Sequence, residues 1–234
     1  MSEKREVLTL AFVKTTLRLI EKSCGKKLEL GKIPLNDAKT YNLLKTGNVE
    51  EIFLSKLRGM EEFLKLLKPD NFSDLVAIFA LYRPAPFEAG IVEQFLEAKH
   101  KKLKNSILEK EVEALVSPIL GETYGILLYH EQVIKIIQKV AEYNLSEAKT
   151  LRKLLSKKDI QALVIQKQKF TYQAKLKGFS ELQAEKIFKF LQEFTPYTFS
   201  KKHAVFLALK LYYIAYLKAH YPLCFKKALS IFKT

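Results

Sequence analysis

Tryptophan is absent from the 234 residues, so aromatic burial falls to 16 Phe and 11 Tyr. Cysteine occurs twice, at Cys24 and Cys224, far apart and within apolar helical patterns, which argues against a disulfide framework or a zinc site. No apolar stretch reaches eighteen residues without a charge. The opening MSEKREVLTLAFVKTTLRLI is broken too often by Lys and Arg for a signal-peptide core or a membrane span. These features predict a reducing, cytoplasmic setting and no membrane partner. Self-contained hydrolase signatures are missing too: there is no glycine-rich P-loop and no G-x-S-x-G. His130 and Glu131 do not open a zinc helix, because residue 134 is Ile rather than a second His.

What the chain has is positive charge. Forty Lys+Arg against 25 Asp+Glu give a formal +15 and a pI near 9.6, the balance of a protein with a polyanionic partner such as nucleic acid, phosphate groups or an acidic protein. A hydrophobic share of 48% is ample for a core. Nearly every long segment repeats apolar residues with the 3.6-residue period, which predicts an all-α fold. The spacing predicts helices over residues 6–22 and 36–45, the second stopping at Gly47 as a left-handed cap. RPAP, residues 83–86, predicts an extended kink and a domain boundary. Beyond it, helices are predicted over 87–100, 109–116 (closing at Pro118), 130–143, 146–156, 159–177, 181–194, 201–220 and 222–232. KHKKLKN reads as a basic loop, and GETYGILLY as an extended piece or a tight turn. Ser146 is a candidate N-cap, Ser180 with Gln183 a capping box, Gly178 a stop, and Pro222 a first helical position.

Two cationic clusters stand out. In LSEAKTLRKLLSKK, Lys149, Lys153 and Lys157 share one helix face with Arg152 beside it, while Ala148, Leu151 and Leu155 occupy another. Like charges so arranged are either a solvated face or a ladder for phosphates, with Arg152 offering bidentate donors. In FSKKHAV, Lys201, Lys202 and His203 lie where a helix begins, so backbone N–H groups there are expected to add to an anion site; His203 alone reads equally as a structural histidine.

Taken in order, LVAIFALYRPAPFEAGIVEQFLEAKH, TYGILLYHEQVIKIIQKVAEYNLSEAKTLRKLLSKK and FTPYTFSKKHAVFLALKLYYIAYLKAHYPLCF resemble the fingers region of the bacterial replicative DNA polymerase III alpha subunit (C-family polymerases). The earlier IPLNDAKTYNLLKTGNVEEIF and LRGMEEFLKLLKPDNFSDL resemble the stretch joining that family's palm to its fingers. The resemblance implies a multi-helix fingers domain over 83–234, preceded by palm-to-fingers connecting helices over 1–82. It implies primer-template DNA and deoxynucleoside triphosphate as partners. Arg152, Lys153, Lys157 and Lys158 match the cations of the family's L-R-R-A-M-G-K-K, which the resemblance makes triphosphate contacts. Lys201 and His203 match its F-N-K-S-H, Arg83 its R-P-G-P, and Glu131 and Gln132 its Y-Q-E-Q, with His130 in place of the first Gln.

Departures from the pattern bear on activity. Polymerases of this family hold two magnesium ions on palm aspartates, and the chain has four aspartates: Asp37, Asp70, Asp74 and Asp159. Leu10 stands at the position of the family's final palm aspartate, and Ser156 replaces the glycine of A-M-G-K-K. The expectation is a fingers protein with no catalytic residue and no metal site of its own, binding Mg2+ only through a partner's carboxylates. One alternative is half of a split polymerase completed by a separate palm chain. Another is an interaction module or decoy for replisome proteins, and a third is a decayed fragment that still folds.

Overall fold

The computed structural model describes residues 3–49, 59–101, 110–157 and 160–232. Among them the regular elements are α-helices: α1 (Glu3–Cys24), α2 (Ala38–Lys45), α3 (Met60–Leu67), α4 (Phe72–Leu81), α5 (Pro84–Glu88), α6 (Ile91–Lys101), α7 (Lys110–Leu120), α8 (His130–Ala141), α9 (Leu145–Lys157), α10 (Ile160–Leu176), α11 (Glu181–Phe194), α12 (Lys201–His220) and α13 (Pro222–Phe232). Among the described residues, three short 3-10 turns join them, and the single extended pairing is a parallel bridge between Tyr129 and Phe199. The all-α expectation holds. No helix among the described residues is long and apolar enough to cross a membrane.

The chain forms two compact units, residues 1–76 with 205–234, and residues 77–204. In the first, α1 packs on α13: the buried Phe12 ring meets the edges of Phe225 (5.1 Å between centroids) and Phe232 (5.9 Å). Such edge-to-face pairs add about 0.5–1.5 kcal/mol to the burial itself. Asp37 caps α2, its carboxylate accepting from the Thr40 N–H (2.8 Å) and hydroxyl (2.6 Å) and facing His220 Nε2 at 2.9 Å. Burial pushes this carboxyl up, but the bonds from Thr40 and His220 outweigh it and hold Asp37 below the ordinary value. Tyr212, fully buried, donates to the Pro34 carbonyl (2.6 Å) and accepts the Asp37 N–H (3.0 Å), tying α12 to the start of α2.

Gly47 ends α2 as the sequence predicts, with φ +69, in the left-handed region that side chains avoid. A Cβ there would lie 2.7 Å from the backbone oxygen of Glu61, and backbone cannot swing aside as a side-chain tip can. Gly47→Ala is therefore expected to destabilise by about 2–4 kcal/mol, strain and overpacking together, read as a lower urea midpoint at unchanged m.

In the second unit, α8 packs on α9 and α10, and α10 on α11. Each helix contributes one apolar stripe: Val133, Ile136, Ile137 and Val140 from α8, Ala148, Leu151 and Leu155 from α9, Phe170 and Ala174 from α10, and Ile187, Phe188 and Leu191 from α11, all buried. Phe170 is central, 5.4 Å from the Phe188 ring and 6.4 Å from Tyr143.

Several boundaries depart from the sequence reading. Only Arg83 of RPAP is extended; Pro84 takes the first position of the short helix α5, where a missing N–H costs nothing. The predicted helix over 87–100 is broken at Gly90 (φ +69), so that α6 starts afresh at Ile91. Helix α7 runs through Pro118 to Leu120 instead of closing, because the ring falls in the last turn. Helix α9 starts one residue before Ser146: Asn144 is the cap, its side chain accepting the Glu147 N–H and its own N–H bonding the Glu147 carboxylate, both at 3.0 Å. The Ser180–Gln183 box, the stop at Gly178 and Pro222 as first residue of α13 are all present. Most of KHKKLKN lies outside the described residues.

Candidate phosphate-binding site

The Tyr129–Phe199 bridge sets the geometry. The His130 N–H donates to the Phe199 carbonyl and the Phe199 N–H to the Leu128 carbonyl, each at 2.9 Å, so α8 and α12 begin side by side. Gln132, 2% exposed, fixes the first of these starts. Its side-chain oxygen accepts the N–H groups of Leu128 (3.0 Å) and Tyr129 (2.9 Å), and its amide donates to the Thr123 hydroxyl (2.8 Å) and the Ile119 carbonyl (3.3 Å). Glu131 fixes the second: its carboxylate accepts the Lys201 N–H at 2.9 Å and the Lys202 N–H at 3.3 Å.

Two of the backbone donors at the start of α12, where the sequence reading places an anion, are thus already bonded to Glu131, seventy residues upstream. Lys201 is likewise engaged, with Glu122 at 2.6 Å and above the Tyr129 ring. His203 is exposed, its ring edge against Phe199 at 5.6 Å. Arg83 donates twice to the Ala80 carbonyl (2.9 and 2.7 Å) and once to the Tyr197 carbonyl, with its guanidinium 5.0 Å above Phe199; burial holds its pKa below the ordinary value. Arg83, Glu131 and Gln132 thus build the frame. Neither Glu122 nor Phe199 stands out in the sequence, since neither spacing nor residue type marks a partner so far along the chain.

The first cluster behaves differently. On α9, Lys149, Lys153 and Lys157 are exposed opposite the buried Ala148, Leu151 and Leu155, and none of the three forms an ion pair among the described residues. Lysines of the adjacent α10 segment are the contrast: Lys167 pairs with Glu185 (2.7 Å), Lys169 with Glu147 (2.9 Å), Lys175 with Glu181 (2.9 Å) and Lys177 with Glu142 (2.7 Å). Such exposed pairs add little stability, but they cancel the field that a polyanion would feel. The face of α9 keeps its field.

Arg152 sits at the inner edge of that face, half-buried, with its Nε buried and without a hydrogen-bond partner among the described residues. A dry guanidinium nitrogen left unpaired is costly unless an acceptor arrives, and the fork suits a phosphate. His130 lies close enough to feel the charges of Arg152, Glu131 and Arg83. Burial first and the Arg152 charge second push its pKa below the ordinary 6.5, against the smaller opposing effects of Glu131 and of a hydrogen bond to the Thr198 backbone. Helix α9 also packs on the Thr195–Tyr197 turn that precedes α12. The charges of Arg152, Glu131 and Arg83 thus act together on His130, while Glu131 accepts the Lys201 N–H and His203 touches Phe199; Lys153 and Lys157 continue the positive face of α9. Lys158 lies outside the described residues.

A histidine whose folded pKa is lowered is protonated first in the unfolded chain. Its contribution to stability is full above about 6.5 and is lost as pH falls from there toward the folded value. Denaturant unfolding at pH 7.5 and 5.5 is expected to show a smaller loss on acidification for His130→Gln than for the wild type.

Among the described residues, no three His, Cys, Asp or Glu side chains gather to hold a metal ion. Asp37 caps α2, and Asp74, 1% exposed, accepts the Asp70 N–H (3.1 Å) and the Asn71 amide (3.0 Å).

Comparison with known proteins matches residues 9–178 to the bacterial DNA polymerase III alpha subunit finger domain. The chain is 39% identical over 214 residues to the DNA polymerase III subunit alpha of Aquifex aeolicus, covering 92% of this chain and 18% of that protein. It is 36% identical over 222 residues to that of Thermus aquaticus (94% and 18%) and 36% identical over 226 residues to that of Escherichia coli (94% and 19%). The chain thus spans about a fifth of the length of the curated relatives it matches. It belongs to the bacterial DNA polymerase III alpha subunit finger-domain family.

Proposed function

We propose that this chain is a fingers segment of the replicative polymerase type that binds the phosphates of a deoxynucleoside triphosphate or of primer-template DNA, through Arg152, Lys153, Lys157 and Lys158 of the α9 region. The observation that carries this reading is that, among the described residues, the charge of α9 is uncompensated and Arg152 Nε has no partner, set against the neutralised lysines of α10. Lys201 is paired with Glu122 and adds little to this charge, and His203 lies at the exposed start of α12. Nucleotidyl transfer on this reading needs carboxylates for Mg2+ that a palm supplies, so the isolated chain is not expected to extend a primer.

The test is a titration of labelled primer-template DNA at several salt concentrations, comparing wild type with Arg152→Ala, Lys153→Ala, Lys157→Ala and Lys158→Ala combined. Each phosphate that the variant no longer neutralises lowers the slope of log K against log salt by about 0.9, so a fall of about 2–4 is expected. An unchanged slope, or no binding near physiological salt, contradicts the proposal. Template-directed extension by the purified chain with Mg2+ and all four nucleotides contradicts its second half.

A further inference from the structure

The first unit carries a groove of about 450 Å3 that none of the roles above uses. Its floor is apolar, formed by Leu43 of α2 and by Pro222 and Phe225 of α13; its rim is cationic, formed by Lys39, Lys218 and Lys226, and no carboxylate lines it among the described residues. The register explains the arrangement: Lys39 and Leu43 are one turn apart on α2, and Lys218, Pro222 and Lys226 repeat every four residues along the end of α12 and the start of α13. Lys218 is held in place by the Asn48 carbonyl (3.1 Å) and side-chain oxygen (2.8 Å). Lys39 and Lys226 are exposed, and neither has an ion pair among the described residues.

We propose that this groove takes an acidic peptide segment, placing one large apolar side chain against Leu43 and Pro222 while flanking carboxylates pair with Lys39 and Lys226. Size and charge both choose this occupant. The volume suits one large side chain with its backbone, near the lower end of ligand pockets, and a rim of one sign, with no acid among the described residues, selects an anion. Nucleic acid fits less well. A single strand is held by aromatic faces on which bases stack, and Phe225, the one aromatic of the lining, is 1% exposed, so it offers no face to a base. Apolar anchors in pockets with charged rims are the usual way in which a short peptide segment obtains both affinity and register.

Fluorescence anisotropy with a labelled peptide carrying a single phenylalanine within a run of glutamates tests this. Comparators are the same peptide with alanine for phenylalanine, one with glutamines for glutamates, and a labelled oligothymidylate. We expect saturable binding of the first peptide, weakened about tenfold or more by either peptide change and by Lys39→Glu with Lys226→Glu. Both lysines are exposed, so the variant keeps the wild-type fold, which thermal melting verifies. Peptide-induced amide shifts are expected at Leu43, Thr46 and Phe225. Substituting Ala for Arg152, Lys153 and Lys157 is expected to leave peptide affinity within about twofold, so this proposal and the phosphate-binding one fail separately. No binding of the first peptide, equal binding without its phenylalanine, indifference to the two lysine changes, tighter binding of oligothymidylate at the same residues, or amide shifts elsewhere would each overturn it.

Discussion

Gln132→Leu is expected to lower the unfolding free energy by about 3–5 kcal/mol, the largest single-residue effect we anticipate at the site. The substitution keeps the volume and removes every bond: the Leu128 and Tyr129 N–H groups lose their acceptor, and the Ile119 carbonyl and Thr123 hydroxyl lose a donor. The residue is 2% exposed and water cannot easily take its place, so each orphaned group costs about 1–3 kcal/mol, offset partly by the better burial of Leu. Gln132→Glu is expected to cost less if the two N–H bonds survive, although a buried carboxylate beside the Ile119 carbonyl is unfavourable. Urea unfolding measures both. A polar residue in a family motif is easily taken for a ligand contact; in that case Gln132→Leu would weaken binding and leave the urea midpoint unchanged, the opposite of what is expected here.

Glu131→Ala is expected to act in two directions at once. Losing the charged acceptor of the Lys201 and Lys202 N–H groups costs about 1.5–3 kcal/mol, since bonds to an ionised carboxylate are stronger than neutral ones. The same change opens the start of α12 to an outside anion and removes a negative charge from the neighbourhood of His130. Binding of inorganic tripolyphosphate, measured by calorimetry where the variant is folded, is therefore expected to tighten severalfold, by roughly the 0.3–1 kcal/mol that a helix terminus gives an anion. Weaker tripolyphosphate binding would show that Glu131 assists the ligand instead of standing in for it.

Much of the architecture is legible in the chain because it is local. The apolar stripe of α9, the Ser180–Gln183 box and the left-handed stop at Gly47 depend on neighbours within one or two turns, and each appears where spacing and residue type predict. The misplaced joints are also local but finely balanced. Asn144 wins the cap of α9 over Ser146 because Glu147 can reach back to its N–H, a reciprocal pair that Ser146 has no acid in position to form. Pro118 sits in the last turn of α7, where its ring breaks little. The site is a different matter. That Lys201 is neutralised by Glu122, or that Glu131 caps a helix seventy residues away, depends on the Tyr129–Phe199 bridge, a pairing of two single residues with no periodicity to betray it. Conversely, the lysines of α9 and α10 look alike in sequence. They differ only in whether Glu142, Glu147, Glu181 or Glu185 lies within reach, which is a property of packing.

That difference between the two helices can be tested directly. Two variants matched in charge, one replacing Lys149, Lys153 and Lys157 by Ala and the other replacing Lys167, Lys175 and Lys177 by Ala, change the net charge equally while touching different faces. Their affinities for the same primer-template DNA, measured across a salt series, isolate placement from charge. The α9 variant is expected to lose about 2–3 from the salt slope and tenfold or more in affinity, with the α10 variant within about threefold of wild type. Equal losses from both would mean that the chain binds DNA by net charge alone, and that the unpaired face of α9 is not its phosphate site.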